Sequence, residues 1–90
     1  MHQLCREELL KVFIGQARST DLWLACWDKN KDIGAASWAL TALGKLSGVY
    51  NVLLAVWGDD NLPEEIIALN TKYGQRWDEI MRHEFRIRYD

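Results

Sequence analysis

Twenty-five consecutive residues, from Ile33 to Trp57, carry one charge, Lys45, in a chain of only 90 residues. So apolar a run must be covered by something, and a chain this short has few other elements with which to cover it. It reads as a helix at the centre of a bundle. Asp32 is placed to cap its start and Gly58 to stop it. At 100° per residue, Trp38, Ala42, Leu43, Leu46, Val49, Tyr50, Leu53, Val56 and Trp57 form a bulky face suited to a core. Ser37, Thr41, Gly44, Lys45, Gly48, Asn51 and Ala55 form a small or weakly polar one, which would admit another helix closely or meet solvent.

The same run exceeds the roughly 20 apolar residues that cross a bilayer, and Gly44 and Gly48 make a GxxxG pair. Against a membrane span stand Ser37, Thr41, Asn51 and the mid-span Lys45, a charge costing about 2.5–3.5 kcal/mol at the centre of such a helix. The expectation is therefore a buried central helix without a membrane, a single spanning helix being the minor alternative.

The flanking segments read as its cover. Leu4 to about Arg18 has an amphipathic helical pattern, and Ser19, Thr20 and Asp21 are N-cap residues for a second, short element over 21–28. The six apolar residues Leu22 to Trp27 suit a helix or a strand; the helical context favours the helix. After Asp59 and Asp60, Asn61 is read as a cap, Pro63 as lying in the first turn and Glu64 as closing a capping box. Ile66, Leu69, Tyr73, Trp77, Ile80 and Met81 then recur at helical spacing to about Glu84, with an interruption or bend near Gly74. Phe85 to Tyr89 alternates apolar and basic residues, the rhythm of a short extended tail. The expected fold is one all-α domain over residues 1–90, a bundle of four to five helices ending in that tail. In the α+β alternative, 22–27 pairs with 85–89 as a small sheet.

Charge and composition narrow the function classes. A net charge of −2 provides no overall positive field to draw the chain onto nucleic acid or anionic lipid. Two cysteines and a charged N-terminal stretch suit a cytoplasmic chain with reduced thiols. Neither Cys5 nor Cys26 has a recognisable histidine partner, so nucleophilic and zinc chemistry lack support, and no cofactor or metal is expected.

Three local patterns resemble known families. Asp28-Lys-Asn30-Lys-Asp32 resembles the opening of an EF-hand loop, but Ile33 stands where the loop needs glycine and Ala39 where it needs glutamate, so a cap and turn explain it better. The stretch from Trp57 through Glu64, Leu69 and Tyr73-Gly74-Gln75-Arg76-Trp77 resembles the first two helices of a Myb or SANT repeat. That resemblance implies DNA or histone-tail binding, although the third, reading helix has no counterpart. Arg76 and His83 have the spacing of HEPN-type ribonucleases, which implies RNA cleavage by that pair.

The leading expectation is a non-catalytic interaction protein: a binder, adaptor or inhibitor of a larger macromolecule, or a subunit of a homo-oligomer. Five tryptophans in a chain that is 49% hydrophobic exceed what so small an interior receives. Trp23 and Trp27 are expected at the interface, with Asp59, Asp60, Glu64 and Glu65 as an acidic corner facing a basic partner. The alternative is a nucleic-acid-binding module using Arg76, Arg82, Arg86 and Arg88.

Overall fold

A computed structural model describes residues 6–58 and 61–85. It contains three long helices, α1 (Arg6–Asn30), α2 (Ile33–Trp57) and α3 (Glu64–Phe85), and no strand among the described residues. The all-α expectation holds; the count of four to five helices does not. The expected break at Ser19-Thr20-Asp21 is absent, because Thr20 is buried and its hydroxyl donates back to the Gln16 carbonyl at 2.7 Å, one turn earlier. A capping residue can serve mid-helix when its hydroxyl bonds the i−4 carbonyl. Leu22 to Trp27 is thereby helical, inside α1. Its β pairing with 85–89 is excluded on that side, and residues 86–90 lie outside the described set.

α2 begins and ends where its sequence marks it. The Asp32 carboxylate accepts the Ala35 N–H at 2.7 Å, satisfying one of the orphan donors of the first turn. At the other end Gly58 takes φ +84° and donates its N–H to the Leu54 carbonyl, a backbone conformation that a side chain would resist. Asp32→Ala is expected to cost about 1 kcal/mol, read as a lower urea midpoint, and Asp32→Asn to restore most of it.

α3 departs from expectation at its start. Its first helical residue is Glu64, with the Pro63 carbonyl accepting from Ile66 and Ile67, so Pro63 precedes the helix. Asn61 instead closes a turn, its N–H donating to the Gly58 carbonyl at 3.2 Å. The capping-box reading fails because Leu62 is drawn into the core, and this shifts the helix start two residues onward. At Gly74 α3 is uninterrupted, so neither a helix–glycine–helix junction nor the two-helix start of a Myb-like repeat is present there.

α2 packs closely against α1 as an antiparallel hairpin and more loosely against α3, while no Cα of α1 comes within 8 Å of one in α3. Long side chains close that gap. The Trp27 indole N–H donates to Glu84 at 2.8 Å, the Tyr73 hydroxyl donates to Asp21 at 2.8 Å, and Arg76 reaches Asp28. The core runs along the α1–α2 seam through Leu9, Phe13, Trp27, Leu43, Leu46 and Leu53, with Ile66, Tyr73 and Ile80 entering from α3.

α2 does lie between the other two helices, but the face it buries differs from the expected one. Alanines 35, 36, 39 and 42 are buried beside Leu43, Leu46 and Leu53, whereas Trp38 and Val56 are exposed. The small residues at the head of α2 allow the close approach of α1, which leaves no room there for an indole. At about 38 Å, α2 is long and apolar enough to cross a membrane, and one third of its most apolar stretch is buried in the bundle.

Candidate interaction surface

The three-helix arrangement leaves one broad face of the α1–α2 hairpin turned away from α3. On α1 it carries Val12, Ser19 and Trp23, at helical spacings of seven and four; on α2 it carries Trp38, Lys45, Val52 and Val56. Trp38 stacks on Trp23, with ring centroids 5.2 Å apart and planes 16° from parallel. Trp23 is half-buried by this contact; Trp38 remains 58% exposed, and Val12, Val52 and Val56 are exposed as well. A stacked indole pair presents a large rigid apolar area with little side-chain freedom left to lose on binding.

The structure divides the site expected from sequence. Trp23 lies half-buried at the surface. Trp27 does not: it is fully buried, capped by Lys31 with its ammonium 3.6 Å from the ring centre and met edge-on by His83. Four residues separate the two indoles, and the small rotation this leaves carries Trp27 inward towards α3. The indole that joins Trp23 at the surface is instead Trp38, which the sequence assigned to the core face of α2. Its 58% exposure was missed because the wheel groups it with the bulky side of α2; the signal in the sequence was the four alanines at 35, 36, 39 and 42, small residues able to form the closely packed side instead.

Glu64 and Glu65 are exposed in the first turn of α3, where their charge suits the helix dipole. They sit near the opposite end of α2 from Trp38, about 28 Å along its axis, so they do not join the indole pair in one patch. Asp59 and Asp60 lie outside the described residues.

Among the arginines, Arg76 is held by Asp28 and Glu79. Burial pulls its pKa down, but the hydrogen bonds and charges of those two carboxylates outweigh burial and hold it above the ordinary arginine value. Arg82 has a partner of its own, and Arg86 and Arg88 lie outside the described residues. His83, the other half of the HEPN-like spacing, contacts Glu84 at 3.1 Å and lies nearly perpendicular to the Trp27 ring, with centroids 5.5 Å apart. The EF-hand-like segment is likewise spent on local structure: Asp28 pairs with Arg76, Asn30 donates to the Cys26 carbonyl, and Asp32 caps α2. No grouping of three metal-ligating side chains occurs among the described residues.

Compared with known protein families, with curated proteins and with solved structures, the chain has no match.

Proposed function

We propose that this is a non-catalytic interaction protein of the cytoplasm, acting as a binder, adaptor or inhibitor through the face bearing Trp23 and Trp38. The observation that carries this reading is the stacked indole pair, its Trp38 ring 58% exposed on the side of the hairpin that α3 does not cover. Tryptophan is among the residues that dominate interface energies, and a pre-stacked pair loses little entropy on contact. The surrounding valines would exclude water from the contact, and Lys45, the one charge on the α2 side of the face, favours an acidic or carbonyl-bearing counterpart. The partner is a protein surface, either on another macromolecule or on a second copy of this chain.

Trp38→Ala tests this reading, because the side chain is too exposed for its loss to open a large cavity. Association, followed by sedimentation for self-assembly and by capture for other proteins, is expected to weaken at least about tenfold, while the thermal midpoint moves by less than about 4 °C. Unchanged association in the variant, or a wild-type chain that stays monomeric and captures nothing, refutes it.

A further inference from the structure

A groove of about 330 Å³ opens between α2 and α3, on a different side of the bundle from the indole pair, and no charged side chain lines it. Gly44 lies on the α2 wall and Gly74 on the α3 wall, each near the middle of its helix. A glycine inside a helix destabilises it by about 0.5–1 kcal/mol relative to alanine, and the usual compensation is a neighbouring backbone that comes too close for a Cβ. Neither site has one. A Cβ built at Gly44 or at Gly74 meets no atom within 4 Å. The two glycines therefore do not bring the helices together, and at their positions the groove walls carry no side chain.

The rest of the lining has the composition of a small-ligand site: an apolar body with a few polar groups to fix orientation. Trp77 forms one side and is 38% exposed. The Tyr73 ring is buried beneath, its hydroxyl already committed to Asp21. Ser47 and the Asn70 amide are the polar groups of the lining, and neither has a hydrogen-bond partner among the described residues.

We propose that this groove binds a small, uncharged aromatic molecule, its ring seated between Gly44 and Gly74 against Trp77 and a polar substituent reaching Ser47 or Asn70. The absence of lining charge selects against an ionised ligand, since nothing there would offset its desolvation. A volume near the lower end of ligand pockets limits the guest to about one fused ring system.

Indole and phenol are suitable probes, titrated into the intact protein and followed through the indole N–H resonances of the five tryptophans. The Trp77 signal should move with a dissociation constant on the order of 0.1–1 mM, as suits so small a ligand. The Trp23 and Trp38 signals serve as controls for indiscriminate adhesion to exposed rings. Gly74→Leu and, on the facing wall, Gly44→Leu should each weaken binding at least about tenfold by filling the groove. Gly44→Ala or Gly74→Ala should raise the thermal midpoint by about 3–8 °C, because the methyl meets open space. No movement of Trp77 up to about 10 mM probe, equal movement of all exposed indoles, or undiminished binding in the folded leucine variants would overturn the proposal.

Discussion

Replacement of Trp27 by alanine is expected to lower the stability of the protein by about 3–5 kcal/mol, the usual cost of removing a fully buried large aromatic side chain. Trp27 is the largest side chain wholly withdrawn from solvent, and it links all three parts of the bundle. It belongs to the core cluster that α1 and α2 share, receives the cation of Lys31 on its face, and donates to Glu84 of α3 at 2.8 Å. The backbones of α1 and α3 do not touch, so the loss removes one of the few ties between them. In a domain of this size the thermal midpoint should fall by more than about 12 °C, and α3 should become the first element to exchange its amide hydrogens. Trp27→Phe separates the two contributions: it keeps most of the packing, drops the hydrogen bond, and should cost about 1–2 kcal/mol. A midpoint for the alanine variant within about 4 °C of wild type would show that this indole is not the joint described.

The second large effect appears at alkaline pH. Burial first, then the hydrogen bond to Asp21 and its negative charge, push the Tyr73 phenol up from 10.0 to about 12. The unfolded chain releases this proton near its ordinary value while the folded chain keeps it, so the contribution is fully present below the ordinary value and lost as pH rises towards the raised one. A shift of about two units corresponds to at most about 2.7 kcal/mol, and the exposure of Asp21 reduces this to about 2. Other groups titrate in the same range, so Tyr73→Phe is the reference. It should be about 1 kcal/mol less stable than wild type near neutrality, and that deficit should vanish or reverse by about pH 12. Parallel decline of the two proteins across this range would mean that the tyrosine is not held as described.

Both predictions concern contacts between α1 and α3 that no local pattern announced. The limits of α2 were legible because they depend on neighbours in sequence: an aspartate that accepts an N–H three residues on, and a glycine free to adopt positive φ. The helical character of Leu22 to Trp27 was less so. Six apolar residues in a row have no period, and Thr20 looks like a cap until its hydroxyl finds the Gln16 carbonyl in the buried seam. The same limit applied to the placement of the indoles. Trp23 and Trp27 are alike in sequence, one turn apart, yet one stacks on Trp38 at the surface and the other is sealed in the core.

The sequence by itself determined that the chain is helical, where its apolar helix begins and ends, and that there are more indoles than the interior holds, since these follow from composition, capping and short-range periodicity. Only the tertiary structure decided that there are three helices rather than four or five, that alanines form the tight side of α2, and that Trp38 rather than Trp27 stays in the open. The reason is that burial is a relation between segments distant in the chain. The close approach of α1 to α2 takes up the alanine face, and the position of α3 fixes which of the remaining faces is covered.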